Sequence, residues 1–180
     1  MGEGGHRALA VWLDTRNASQ DQWTLAGRAR LRSAINRWNS LQLPVALQVA
    51  SIPANADITV EVIPKFPLDS SDPNSATQGG VTQLVYSETG VISRARIYVA
   101  ENTPGGQRYA AVDQDAILLH ELGHALGLPH STDDGALMAP RPVVSSLTDV
   151  DVHEAHLLYP SGACGGVVAS SPARVSRHRH

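Results

Sequence analysis

Residues 120–130 read HELGHALGLPH, and this stretch decides the fold and the chemistry that the sequence predicts. His120 and His124 are four residues apart, so on a helix they lie one turn apart on the same face and their imidazoles can converge on one ion. Glu121 is rotated by about 100° from its neighbour, which puts its carboxylate beside that ion. The spacing therefore predicts a helix that presents two metal ligands and one adjacent acid.

A third histidine follows this helix. Gly127 allows the chain to turn sharply, through a positive φ if needed, so that His130 returns toward the other two. Zinc prefers nitrogen ligands in a tetrahedral array, and catalytic sites leave one position open for water. At roughly 5% per residue type, the five specified residues would match by chance in about one chain in ten thousand. The predicted ligands of one zinc ion are His120, His124 and His130. Glu121 is the predicted general base.

Two other interpretations compete with a catalytic site. The first is a set of hydrogen-bonded core histidines, which a lone histidine would favour but five specified residues in register do not. The second is a structural zinc, which needs a fourth protein ligand, commonly cysteine. Cys164 is the single cysteine of the chain, so no internal disulfide can form. It lies in a stretch rich in Gly, Ser and Ala, and we therefore favour the catalytic site.

The pattern around the motif predicts an α/β domain. Asp113–Leu126 is apolar nearly all round, which indicates a central buried helix with acidic residues at its start. The other predicted elements are a strand at 7–14, a helix at 19–40, strands at 45–51 and 57–63, a loop at 64–80, a hairpin of strands 81–87 and 93–100, and a helix at 148–159. We predict an α/β (α+β) fold with a mixed sheet of about five strands, two long helices and a small C-terminal subdomain that ends in a helix.

Length and composition limit the remaining choices. A chain of 180 residues fits one domain, and 42% hydrophobic with 17% charged residues is typical of a globular protein. We place that domain at 1–160 and predict a disordered tail or linker at 161–180. The net charge of −3 gives no reason to expect nucleic acid as a partner. Residues 1–20 show no signal peptide, and no apolar run approaches the roughly 20 residues that span a bilayer.

The central motif resembles the metzincin signature HExxHxxGxxH, and Ser131 after the third histidine makes it most similar to matrixins, the matrix-metalloproteinase family. The segment 136–140 (ALMAP) is similar to the matrixin ALMxP segment, which implies that Met138 forms a methionine turn below the metal. Residues 147–159 look like the C-terminal helix of the family, whose Asp at position 151 ties to that turn. Gly127, Met138 and Asp151 are therefore expected to support the site.

The resemblance also implies a fold and an activity. It is strong over 113–160 and weaker, in element order, over 7–112; it implies a twisted metzincin sheet with a cleft between 7–130 and 131–160. The implied activity is that of a zinc-dependent endopeptidase that hydrolyses peptide bonds by zinc-activated water, with Glu121 as base. Family members of this kind are expected to be monomers that act outside the cell on peptides or proteins.

A substrate peptide is expected to add as an extended segment along the edge strand at 81–87. By resemblance, the pocket for the side chain after the cut lies between the helix near His120 and the segment 138–142, and it favours an apolar side chain. The candidate pocket residues are Val81, Leu84 and Pro140.

The sequence departs from the family at its second metal site. Matrixins usually bind a structural zinc through histidines and acids before the catalytic helix, but residues 64–112 contain no histidine, so we predict that this zinc is absent. Asp69, Asp72 and Asn74 could bind calcium, although a solvated turn is the better interpretation.

Two alternative functions stay open beside the peptidase. One is a catalytically inactive zinc-binding module that interacts with proteins, and the other is a zinc hydrolase that acts on a non-peptide amide. Glu121 argues against the first alternative, because an inactive relative has no need of a base.

Overall fold

A computed structural model describes residues 7–18, 21–69, 71, 77–160 and 176–179. Asp72 and Asn74 of the calcium hypothesis lie outside the described residues, as do Cys164 and the first two residues of the helix predicted at 19–40.

The described strands form one mixed sheet, as predicted. They are β1 (Arg7–Asp14), β2 (Val45–Val49), β3 (Ile58–Ile63), β4 (Gly80–Tyr86), β5 (Ile92–Ala100) and β6 (Ser176–Arg179). Their order is β2-β1-β3-β5-β4-β6. β1 pairs in parallel with β2 and β3, and β3 pairs in parallel with β5. β4 runs antiparallel to β5, so the strand direction changes at the two strands that contact the helix of the histidine motif.

The hairpin predicted from the sequence is confirmed as β4 and β5. Gly90, in the turn between them, has φ +79°, a left-handed conformation that glycine adopts without strain. Ile97 and Val99 are fully buried, as the alternation of β5 predicts.

Four α-helices are described: α1 (Asp21–Thr24), α2 (Gly27–Asn39), α3 (Ala111–Ala125) and α4 (Asp149–Leu158). A short 3-10 helix spans Pro53–Asn55. The prediction of one helix over 19–40 is wrong at 25–26, where the chain turns between α1 and α2. Glycine weakens a helix interior, and Gly27 also lets the chain approach β1 closely. A Cβ at this position would lie 2.9 Å from Leu13 Cδ2, so the break accompanies close packing on the sheet.

α2 and α3 pack against each other and against the sheet. In β3 the buried positions alternate with partly exposed ones, so one face of the sheet joins the core. α3 is buried at every position over 118–125, which confirms the central helix predicted from its apolar sequence. Trp38 of α2 donates its indole hydrogen to Leu119 O of α3 across 2.9 Å. In the described part of the chain, no helix has the length and apolar character needed to cross a membrane.

α4 begins at the cap that its sequence predicts. The Thr148 side chain accepts from Asp151 N, and the Asp151 side chain accepts from Thr148 N, which is a capping box. At the other end, Tyr159 donates its hydroxyl hydrogen to Leu126 O across 2.5 Å. This bond ties the end of α4 to the end of α3.

Residues 176–179 correct part of the predicted disordered tail. They form β6, which pairs antiparallel with β4 from Val81 to Leu84. Strand pairing uses main-chain groups and therefore does not require apolar side chains. The polar sequence SRHR has no hydrophobic alternation from which a strand could be predicted. β4 was predicted as the edge strand, but along this stretch β6 lies outside it. Residues 161–175 lie outside the described residues.

Candidate metal centre

α3 and the turn after it bring three histidines together. His120 and His124 lie one turn apart on α3 and are buried, and His130 is half-buried. Gly127 has φ +96°, which confirms the left-handed turn predicted between them. One ligand nitrogen from each histidine lies within 4.8 Å of the others, so the three residues could hold a metal ion. No other such group of three metal-binding side chains is found within the described ranges.

Backbone carbonyls orient the two helix histidines. His120 Nδ1 lies 2.6 Å from Leu137 O, and His124 Nδ1 lies 2.8 Å from Leu128 O. Because a carbonyl oxygen can only accept, each Nδ1 donates a proton, and in the neutral ring each Nε2 then carries a lone pair. Outer hydrogen bonds of this kind fix the tautomer and orientation of histidines that bind metals.

The two Nε2 atoms of His120 and His124 are 3.0 Å apart. Two lone pairs that face each other at this distance repel, whereas a shared cation attracts both. Nitrogen ligands at 2.0–2.1 Å around a tetrahedral zinc are separated by about 3.3 Å, close to the observed distance. The ring of His130 completes the set, with its centroid 4.8 Å from that of His124. Three imidazole rings in this arrangement fit a zinc ion.

Glu121 places a buried carboxylate next to the triad. Its side chain is 1% exposed, and burial raises its pKa to about 8, while a hydrogen bond from Thr82 acts in the opposite direction. Thr82 Oγ1 donates to Glu121 Oε2 across 2.5 Å. A cation held by the neighbouring histidines would also favour the charged form. The group is therefore suited to exchange a proton near neutral pH.

The segment after the triad packs below α3. Met138 is fully buried, and a Cβ at Gly123 would lie 2.5 Å from Met138 Sδ, so this glycine makes room for the methionine. Asp151 accepts from Leu137 N at 3.0 Å and from Met138 N at 2.8 Å, the contact that the family resemblance implies. Since Leu137 O accepts from His120, Asp151 stabilises the segment that orients a candidate metal ligand.

The three candidate pocket residues lie in different surroundings. Leu84 is 3% exposed and belongs to the hydrophobic core. Val81 is also buried and is paired with Arg179 of β6, whereas Pro140 is exposed. The structure therefore brings the histidines, Glu121, Met138 and Asp151 into one region but does not bring the pocket candidates into one surface.

Sequence reasoning missed several partners of the site. The carbonyls of Leu128 and Leu137 are main-chain groups, so no residue type marks their role. Thr82 did carry a signal: it shares a face of β4 with Gly80 and Leu84, and a polar side chain on a buried strand face needs a partner.

The sequence of this chain is similar to those of known proteins. The family model described as Matrixin matches residues 13–160. The chain is also similar to Metalloendoproteinase 1-MMP of Arabidopsis thaliana, with 27% identity over 113 residues. The similar region is 61% of this chain and 30% of the plant protein, so the chain spans about a third of that relative's length. Because the family model matches most of its length, the chain belongs to the matrixin family.

Proposed function

We propose that this chain is a zinc-dependent endopeptidase. Membership of the matrixin family indicates a zinc metallopeptidase in general. The observation that supports an endopeptidase mechanism is the convergence of three histidines beside a buried glutamate, which lies on the same helix as two of them. In this proposal His120, His124 and His130 bind one zinc ion. Glu121 is the general base.

Glu121 would handle the protons of the reaction. Zinc bound to the triad supplies a Lewis acid that lowers the pKa of water toward about 7 and polarises a carbonyl oxygen. Glu121 accepts a proton from the attacking water and then donates it to the departing amine. Its raised pKa supports this double role, because a group that titrates near the working pH can both take and return a proton.

We propose that the substrate is a peptide or protein segment that binds in extended form along β4. The pairing of β4 with β6 supports this idea, since it shows that the outer side of Val81–Leu84 accepts an antiparallel strand. A substrate that used the same main-chain groups would have to displace β6. For the pocket, the exposed Pro140 remains a candidate, whereas Val81 and Leu84 are buried and would have only a supporting role.

The segment around Met138 is proposed to be the methionine turn. Its burial against Gly123 and its two hydrogen bonds to Asp151 support a structural role below the metal, with Gly127 shaping the turn above it. We also propose a single catalytic unit within 1–160, one zinc ion per chain, a monomer and a location outside the cell. These four points rest on family membership.

The decisive experiment compares the zinc-loaded wild type with Glu121→Ala on a quenched peptide library. We expect wild-type cleavage and, in the variant, a kcat lower by about 10²–10⁴-fold with bound zinc unchanged, because general acid–base catalysis contributes on this order. Glu88→Ala, in the exposed turn of the hairpin, is the control and should cleave like the wild type.

Each other result points elsewhere. Undiminished cleavage by Glu121→Ala at full zinc content would remove Glu121 from the mechanism. A wild type that holds zinc and cleaves no peptide would favour the binding module, and one that cleaves only a non-peptide amide would favour the alternative hydrolase.

A further inference from the structure

A residue of β4 contacts the carboxylate of Glu121. Thr82 Oγ1 lies 2.5 Å from Glu121 Oε2 and 3.1 Å from Glu121 O. Thr82 is fully buried, so water does not compete for its hydroxyl. A hydroxyl carries one hydrogen, and the shorter contact, to the group that can bear a charge, receives it.

Gly80 contributes the space next to this hydrogen bond. It lies two residues before Thr82 and therefore on the same face of β4. A Cβ at Gly80 would lie 2.7 Å from both Cγ and Cδ of Glu121, closer than real Cβ atoms approach such neighbours. The side chain of Glu121 thus occupies the space that a side chain at Gly80 would take. The hydroxyl of Thr82 and the space beside Gly80 together favour one conformation of the Glu121 side chain, which otherwise has many rotamers.

We propose that Thr82 is a positioning residue for Glu121 and that Gly80 provides the room in which the carboxylate sits. The inference rests on the proposed function, in which Glu121 is the general base. A base must be within hydrogen-bond reach of its proton, and a displacement of about 1 Å can cost about 100-fold in rate. Since the substrate is proposed to bind along β4, one strand would align both the peptide and the base.

Two substitutions at Thr82 distinguish the contribution of its hydroxyl group from that of its methyl group. Thr82→Val keeps the shape and removes the hydroxyl, whereas Thr82→Ser keeps the hydroxyl and removes the methyl. With zinc-loaded protein and a peptide that the wild type cleaves, we expect kcat of Thr82→Val to fall about 10–100-fold, with KM and bound zinc unchanged. Thr82→Ser should keep kcat near the wild-type value.

Thr59→Val on β3 is the matched control. Thr59 alternates with the buried Ile58 and Val60 and is itself partly exposed, on the other face of the sheet from the core. The same exchange there should leave kcat unchanged. A Thr82 with only a structural role predicts the reverse order at position 82, because serine loses buried packing that valine keeps. Wild-type kcat in Thr82→Val at equal zinc content would overturn the inference.

The contact is also tested without catalysis. A double-mutant cycle of unfolding free energies in zinc-loaded protein, with Thr82→Val and Glu121→Ala, should show that the two effects are not additive, because each change alone removes the hydrogen bond. Additive effects would mean that the hydroxyl does not hold the carboxylate. If the wild type cleaves no peptide, the proposed function fails by itself, and this cycle still decides whether Thr82 holds Glu121.

Discussion

At the scale of single residues, one carboxylate joins two parts of the site. Asp151 caps α4 by accepting from Thr148 N and Thr148 Oγ1, each at 2.7 Å. It also accepts from the main chain of Leu137 and Met138. The spacing of Thr148 and Asp151 predicts the cap, but the second pair of bonds follows only from the family resemblance, because nothing local relates Asp151 to a segment 13 residues away.

Asp151→Ala should therefore lower the free energy of unfolding by about 2–4 kcal/mol, since it leaves two buried main-chain donors without an acceptor. Urea denaturation of the zinc-loaded protein measures this change. His153→Ala, at an exposed position of the same helix, is the control and should stay within about 0.5 kcal/mol of the wild type. Equal denaturation midpoints for Asp151→Ala and the control would contradict the central role of this carboxylate.

The cluster of three histidines could be predicted because its members belong to one continuous stretch. Their geometry follows from the helical repeat and from one glycine, both of which are local. The partner of Glu121 could not be found in this way, because Thr82 is 39 residues away in sequence. Tertiary pairing alone decides which strand residue faces that carboxylate.

At the scale of elements, most strands and the two long helices could be predicted from the periodicity of hydrophobic residues and from the glycine and proline residues between them. β1 begins and ends where its sequence predicts, and α3 differs by two residues at its start. The failures share a cause. The break between α1 and α2 depends on how closely Gly27 approaches β1, and β6 depends on a free row of main-chain groups in β4. Neither condition is visible in a window of neighbouring residues.

Tyr159 links two elements and makes their packing sensitive to alkali. Burial raises its pKa to about 12, and its hydroxyl donates to Leu126 O. The folded-state pKa lies above the unfolded value of about 10, so the contribution is complete below pH 10 and is lost as the pH rises toward 12. We expect the free energy of unfolding to fall by about 2 kcal/mol between pH 10 and pH 12.

Urea unfolding at a series of pH values from 8 to 12 measures the effect. Tyr159→Phe should be less stable than the wild type at pH 8 by about 1 kcal/mol, for want of the hydrogen bond, and should lose less between pH 10 and 12. A variant that loses as much as the wild type would show that another group controls the alkaline transition.

At the scale of the whole molecule, the sheet ends in a strand contributed by residues far along the chain. β6 pairs with β4 over Val81–Leu84, beside the strand face that holds Glu121. If a peptide binds along β4 as proposed, β6 would compete with it for this edge. The apparent affinity for the peptide would then be reduced in proportion to the fraction of molecules in which the edge is free. The sequence predicts the edge strand but not its occupant.

Deletion of residues 176–180 should therefore lower KM for a peptide substrate, on the order of 3–10-fold, and leave kcat unchanged. Arg177→Pro is a variant of full length that should act in the same direction, because proline cannot donate to a strand ladder. Steady-state kinetics on the peptide from the library measure both. Unchanged KM in the two variants would mean that β6 does not compete with substrate.

The position of the three histidines in the chain has a consequence for the order in which the protein assembles. They lie within eleven consecutive residues, so one helix and one turn set their spacing. The hydrogen bond from Thr82 spans 39 residues and forms only when β4 docks on α3. In the proposed enzyme, the three candidate ligands would therefore be correctly spaced as soon as this helix and turn form. Glu121 would reach its working position only after the strand has docked.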